Sequence, residues 1–289
     1  MTERLDPMVG DNLELAGSAL SDHDFRLITR IALDEAGLAI PQTKKALVQS
    51  RLSRRLRALG IGEFAEYIAL VSLPENREER RELVSVLTTN VSSFFRERHH
   101  FDHFSQTVWP RIAAKLGNRT APARIWSAGC SSGQEPYSIA MECLRAMPDA
   151  ASRDLLILAS DIDPVILQRA AEGRYTQAEV SGIPERDLRT HFTPAPDKTS
   201  YSANDTLRRL VRFRELNLHS AWPMRGQFEA IFCRNVLIYF DEDHQRRLWP
   251  RFHDALVPGG FLFLGHSERI HPLEGSGFTS AGVTIYRKS

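Results

Sequence analysis

The sequence predicts an α/β protein in which a doubly wound, mostly parallel sheet follows a small all-helical region. Two observations predict it. From Leu20 to about Thr89, apolar residues recur at helical spacing and no strand-like alternation interrupts them. After about Phe101, short continuous apolar runs alternate with amphipathic stretches, as a parallel sheet covered on both faces requires.

In the helical region, Ser21 with Asp24 three residues on has the form of a capping box. Phe25, Ile28, Ala32 and Ala36 follow on one face, and Gly37 is placed to end the helix. A second helix is expected from Thr43 to Leu59, stopping at Gly60. Phe64, Tyr67, Ile68 and Val71 mark a third, closed by Pro74, and the charged run Glu75 to Glu82 leads into a fourth. In the sheet region, Arg124 to Ala128 reads as a first strand, and a helix opening near Pro136 carries Ile139, Ala140, Cys143 and Met147 on one face. Leu155 to Ala159, Phe228 to Cys233 and Gly260 to Gly265 read as further strands, with a final strand or hairpin around Thr279 and Val283 to Tyr286. The polar stretch from about 192 to 218, which alternates between Leu207 and Leu216, is expected to form a small antiparallel insert.

Composition narrows the function classes. Apolar residues make up 42% and charged residues 25%, the balance of a soluble globular chain, and a net charge of +1 favours neither nucleic acid nor membrane. No apolar run approaches the roughly 20 residues needed to span a bilayer. The opening MTERLDPMVGDNLELAGSAL carries early acids and no long apolar core, so no secretory signal is expected. Cys130, Cys143 and Cys233 lie far apart without CxxC spacing, which points to a reducing cytoplasm and to no metal.

The chemistry concentrates at strand ends. In an open parallel sheet, ligands bind beyond the carboxyl ends of the strands where the order reverses. The first strand ends in the small-residue turn Gly129-Cys130-Ser131-Ser132-Gly133, and Asp161 closes the second, where dinucleotide folds hold ribose hydroxyls. A nicotinamide site shares that geometry. The turn lacks GxGxxG, however, and Glu135 would crowd a pyrophosphate, so a ligand with a ribose and no phosphates, such as S-adenosylmethionine, fits better.

Several strings then occur in order: Leu87 to Glu97 (LTTNVSSFFRE), Trp126 to Ser138 (WSAGCSSGQEPYS), Ala159-Ser160-Asp161-Ile162-Asp163, Ile231 to Phe240 (IFCRNVLIYF) and Gly265-His266-Ser267-Glu268. With them the chain resembles the chemotaxis receptor methyltransferase (CheR) family from about Leu20 to the C-terminus. The resemblance implies a class I, Rossmann-like methyltransferase that esterifies glutamate side chains on chemoreceptor helices, using S-adenosylmethionine. It implies a receptor-docking domain at 1–89 and a cofactor-binding domain at 90–289 with the antiparallel insert at about 192–218. By position, it implies that Asp161 binds the ribose, that Glu135 and Gly129 line the amino-acid and ribose portion, and that Asn217 and Leu218 frame the adenine. Arg234 and Asn235 are expected to close the other side, with Asn90, Ser92 and Arg96 over the methionine end. Ser92 stands where a threonine is expected. The family partners are methyl-accepting chemotaxis receptors, with no nucleic acid, no membrane-embedded segment, and a cytoplasmic monomer expected.

A glutamate acceptor is already ionised at neutral pH, with an ordinary pKa near ~4.3, so the reaction needs alignment rather than a general base. Arg96 and Tyr239 are the expected catalytic residues, the first holding the substrate carboxylate and the second orienting it or lining the methyl channel; an Arg96–Glu97 surface pair and core packing of Tyr239 are the plain alternatives. Asp163 reads as a helix cap. His99, His100 and His103 lack partner ligands for a metal, and His266, Ser267 and Glu268 are adjacent, which a hydrolytic triad does not allow. The second helix carries Lys44, Lys45, Arg51, Arg54, Arg55 and Arg57 with no acid between Thr43 and Gly60. Val48, Leu52, Leu56 and Leu59 share its other face. Arg51, Arg54, Arg55 and Arg57 are therefore expected to be unpaired and to dock acidic receptor helices. The rival function is a nucleic-acid methyltransferase that uses residues 44–57 to bind DNA or RNA. Against it stand the absence of a base-amine motif and of an overall basic excess. In the insert, Pro194 and Pro196 without any glycine mean that the receptor-peptide tether some relatives build there is not carried over.

Overall fold

The computed structural model describes residues 19–118 and 121–289; the reading of the first residues as no secretory signal, and the start of the 1–89 domain, lie outside them. Four helices come first: α1 (Asp22–Ala36), α2 (Lys45–Leu59), α3 (Phe64–Ser72) and α4 (Arg77–Leu87). Their boundaries follow local chemistry. Ser21 caps α1 by accepting from the Asp24 N–H at 3.0 Å, and Gly37 and Gly60 end α1 and α2 in the left-handed region. One apolar face of each helix is buried against the others, with Ile28, Leu52, Tyr67 and Leu83 at the centre of that core. Leu59, expected on the buried face of α2, is 39% exposed; it is the last residue of the helix, and the buried face closes one turn earlier at Leu56.

A continuous helical stretch, α5 (His99–His103), one π-type segment (Phe104–Val108) and α6 (Trp109–Gly117), leads into the sheet region. There follow β1 (Ala123–Ala128), α7 (Gln134–Ala146), β2 (Leu155–Asp161), α8 (Pro164–Glu172), β3 (Arg174–Thr176), α9 (Glu185–His191), β4 (Phe192–Pro194), β5 (Ser200–Ala203), α10 (Asp205–Leu210) and β6 (Val211–Glu215). The chain closes with β7 (Phe228–Cys233), α11 (Glu242–Ala255), β8 (Leu256–Leu264), β9 (Phe278–Gly282) and β10 (Ile285–Lys288). Seven strands form one sheet in the order β6-β2-β1-β7-β8-β10-β9, parallel except for the hairpin of β9 and β10. The order reverses between β1 and β7, which makes the crevice beyond their carboxyl ends the switch point.

One expectation about the sheet is corrected. The antiparallel insert is a three-stranded sheet ordered β3-β5-β4, so it begins at Arg174 rather than near 192 and ends at Ala203. Residues 211–215 belong instead to the main sheet, pairing parallel to β2 with Ile157 opposite Val211. An edge strand with one face in water alternates just as an antiparallel strand does, so alternation could not separate the two.

The helical bundle sits on the carboxyl end of the sheet. Ile162, Tyr239 and Phe240 pack into the helical core. Leu38 forms an isolated antiparallel bridge with Phe240, and the Ala39 N–H donates to the Tyr239 carbonyl at 2.8 Å.

Candidate cofactor and substrate site

Between the bundle and the strand ends lies a cavity of about 890 Å³, counted to its open mouth. Each strand at the switch point contributes its carboxyl end: Gly129 and Ser131 after β1, Asp161 and Ile162 at β2, Leu216 to Leu218 after β6, and Arg234 to Val236 after β7. The opposite wall is the connection from α4, residues 88–93 and 96, with Ala36 and Leu38 from the end of α1.

The turn after β1 is shaped by close approach. Gly129 has φ 75°, and a Cβ there would meet the Val236 Cγ2 at 2.3 Å, so no side chain can stand between the two strand ends. The Ser131 N–H donates to Asp161 Oδ2 at 2.8 Å and the Asp163 N–H to Asp161 Oδ1 at 3.1 Å, which holds the acid at the pocket floor. Burial raises its pKa, and these backbone donors oppose the rise. The Ser131 Oγ is buried without a partner among the described residues.

Arg234 sits at the centre of a buried ion network. Its guanidinium meets Glu135 at 3.0 Å and Glu97 at 3.2 Å, and donates to the Arg96 carbonyl. Glu135 also accepts from the Ser127 hydroxyl at 2.7 Å; burial nevertheless raises its pKa. At Glu97 burial pushes upward, but Arg234 and His266 prevail and hold the pKa down to about 2. Burial and the Arg234 charge push the neighbouring His100 down to about 3, and its Nε2 rests on the Thr284 hydroxyl at 2.9 Å. Residues 95, 97, 131 and 235, none a glycine, hold positive φ between 49° and 58° around this site. Conformations of that kind persist where the surroundings over-determine them.

Every residue expected at the cofactor lines this one cavity: Asn90, Ser92, Arg96, Gly129, Glu135, Asp161, Asn217, Leu218, Arg234 and Asn235, together with Tyr239. Several are held by protein partners as well. Asn90 donates to Asp163 at 2.9 Å, while Asp163 caps α8 through the Val165 and Ile166 N–H groups. Asn217 donates to the Glu35 carbonyl at 2.7 Å, tying the end of β6 to α1. The Tyr239 hydroxyl donates to the Thr89 carbonyl at 3.3 Å. Arg96 donates to the Val91 carbonyl at 3.2 Å and pairs with no carboxylate among the described residues; Glu97 turns to Arg234 instead.

The basic helix corrects a second expectation, that its charges are unpaired. Arg51 lies across the end of α4, donating to the Leu87 and Thr88 carbonyls at 2.8 Å each and to the Thr89 hydroxyl at 3.0 Å. Arg55 forms a two-pronged pair with Glu79, at 3.0 and 2.6 Å, which Tyr67 joins at 2.8 Å. Lys45 pairs with Asp22 at 2.5 Å. The acids come from other helices, so a scan of α2 alone could not see them. Arg54 and Arg57 remain exposed, in no ion pair with a described residue. Residues that sequence reasoning left out of the site include Thr88, Thr89, Ser131 and Ile162, which line the cavity, and Glu97, which steadies it. Their only signal was their place inside the matching strings.

The donor set suits a nucleoside without phosphates. Asp161 offers an acceptor for a ribose diol, the unpartnered Ser131 hydroxyl a further polar contact, and Ile162, Leu216 and Leu218 an apolar berth for a base. Glu135 stands in the first turn of α7, where a pyrophosphate would otherwise sit. Among the described residues no group is arranged to hold a metal ion, and no helix is long and apolar enough to cross a membrane.

Comparison with known proteins agrees with this geometry. Residues 90–286 match the family model of the CheR methyltransferase SAM-binding domain, and residues 23–88 match that of the CheR methyltransferase all-alpha domain. A probable chemotaxis protein methyltransferase of Rhizobium etli is 44% identical, covering 88% of this chain and 95% of its own. The chemotaxis protein methyltransferase of Escherichia coli is 38% identical, covering 94% of this chain and 92% of its own. Chemotaxis protein methyltransferase 2 of Pseudomonas aeruginosa is 39% identical, with coverage of 91% and 92%. With the sheet order, the phosphate-free pocket and both halves of the chain in agreement, the protein belongs to the CheR family of S-adenosylmethionine-dependent methyltransferases.

Proposed function

We propose that the chain esterifies glutamate side chains on the cytoplasmic helices of chemoreceptors, acting as a monomer in the cytoplasm, with residues up to 89 docking the receptor and residues 90–289 carrying the transfer. The observation that carries this reading is Arg96, a guanidinium free of any described carboxylate, in the same cavity as Asp161 and Tyr239. Bound S-adenosylmethionine supplies a methyl group on a positively charged sulfur. The protein's part is alignment. Arg96 orients the incoming carboxylate through charge-assisted hydrogen bonds, and Tyr239, braced on Thr89, walls the approach. Asp161 takes the ribose hydroxyls, while Asn217 and Leu218 flank the base. Arg234 acts behind these contacts, since both of its carboxylate partners belong to the wall itself.

Docking is assigned to Arg54 and Arg57 of α2, because Arg51 and Arg55 are committed inside the bundle. That commitment also weakens the nucleic-acid reading, which needs a row of free cations for phosphates. Incubation with methyl-labelled cofactor should transfer label to receptor cytoplasmic fragments as a base-labile ester that releases methanol, and leave duplex DNA and RNA unlabelled. Label on nucleic acid alone would overturn the proposal. Reversing Arg54 and Arg57 to Glu should suppress receptor methylation while affinity for S-adenosylhomocysteine stays at the wild-type value. Normal methylation by that variant would reduce α2 to a solvated face.

A further inference from the structure

Beyond β8 the chain turns through Gly265 to Glu268, whose side chain is 4% exposed. Its carboxylate meets no cation among the described ion pairs. It accepts from four backbone N–H groups instead: Oε2 from Gly265 at 2.5 Å and Asn235 at 2.9 Å, Oε1 from Leu237 at 2.7 Å and Ile238 at 3.3 Å. Three of those donors lie on the loop between β7 and α11, which carries Asn235, Val236 and Tyr239 into the cavity. The loop needs such an anchor. Asn235 is in the left-handed region, and the Leu237 and Ile238 N–H groups fall in a single short helical turn whose first donors lack partners of their own. The fit leaves no slack, since a Cβ on Gly265 would meet the Asn235 side-chain nitrogen at 2.5 Å and Glu268 itself at 2.8 Å. From the other side the same loop is gripped by the helical bundle through Ala39 and Leu38.

We propose that Glu268 is a positioning residue of the methyltransferase site: a buried carboxylate that gathers the N–H groups of residues 235, 237 and 238 and so fixes Asn235 and Tyr239 against the cofactor and the acceptor. It touches neither ligand. The part concerning the acceptor rests on the receptor-glutamate reading; the part concerning the cofactor does not.

The isosteric Glu268→Gln keeps the volume but turns an amide N–H₂ toward one of the two donor pairs, so half of the anchor becomes repulsive. In calorimetry with S-adenosylhomocysteine, E268Q should bind about tenfold more weakly, and its kcat on a receptor cytoplasmic fragment at saturating cofactor should fall about tenfold to a hundredfold, as small misplacements do. Glu268→Ala should be worse on both counts, and E268Q should recover part of the loss. A purely structural role predicts another pattern, in which fewer sites titrate but the remaining ones keep the wild-type Kd and KM. That pattern, or wild-type values throughout, overturns the proposal. If the wild type methylates no receptor fragment, the acceptor reading fails, while the Kd comparison still decides whether Glu268 positions the cofactor wall.

Discussion

The two walls of the cavity are built on different principles. The sheet wall is four strand ends in fixed register, and its key acid, Asp161, is held by backbone N–H groups two residues and thirty residues away. The bundle wall is an irregular connection, residues 88–96, held by single side chains from distant elements: Arg51 from α2, Tyr239 and Arg234 from the strand-end loop, and Asn90 reaching to Asp163. A register spreads its stabilisation over many bonds, whereas a wall of single contacts can yield where one of them is lost. On the proposed reading, the wall held in register faces the ribose and base, while the wall of single contacts presents Arg96 to the acceptor.

The severest way to break this contrast is to remove Arg234, which braces both walls. Arg234→Ala leaves Glu135 and Glu97 buried without their cation, and stability to urea should drop by about 3–5 kcal/mol. A loss below about 1 kcal/mol would mean the carboxylates relax to water or take up protons at no great cost. Asp161→Ala strikes the sheet wall alone and should weaken S-adenosylhomocysteine binding by about 1.5–3 kcal/mol, the worth of hydrogen bonds to a charged group. Arg96→Ala strikes the bundle wall and should lower turnover far more than cofactor affinity. Equal losses in the two would make Arg96 a cofactor ligand only and erase the division between walls.

The smallest effect is on acid stability. His100 and His219 have folded pKa values pushed by burial to about 3 and about 4, below their ordinary 6.5. Because the unfolded chain takes up protons that the fold refuses, stability should be level above about pH 6.5 and fall as pH drops toward those values. Glu97, depressed from 4.5 to about 2, adds in the same direction: its contribution is present above 4.5 and is lost as pH falls through about 2. Replacing His100 and His219 together with Gln should flatten the pH slope of the unfolding free energy from urea titration between pH 6 and 5, by up to about 1.4 kcal/mol per pH unit for each histidine. An unaltered slope would show that other groups carry the acid response.

The same division explains what was legible in the sequence. Strand-end chemistry is local: a small-residue turn and an acid after the next apolar run announce themselves, so the sequence alone places Gly129, Glu135 and Asp161 at the strand ends that line the cavity, while their roles are only implied by the family resemblance. The bundle caps were local too, so Ser21 and Gly37 could be read directly. Partnerships across elements left no such trace. Nothing near Arg55 in the chain points to Glu79, nothing near Arg51 points to the end of α4, and Glu268 is 33 residues from the Asn235 it holds. The edge strand 211–215 was misplaced for a related reason, since a strand's own pattern does not say which neighbour it joins or in which direction.

The seam at Leu38 and Ala39 bears on how such enzymes can be recombined. The end of α1 touches the cavity through Ala36 and Leu38, and its Glu35 carbonyl holds Asn217. A chimera that borrows the helical bundle from a relative thus imports part of the cavity wall with it. Crossovers placed between α4 and the 88–96 connection would split Arg51 from the carbonyls it secures. Exchanges confined to the exposed face of α2, around Arg54 and Arg57, would leave the cavity as it is, and under the docking proposal they would be the ones that change which receptor is read.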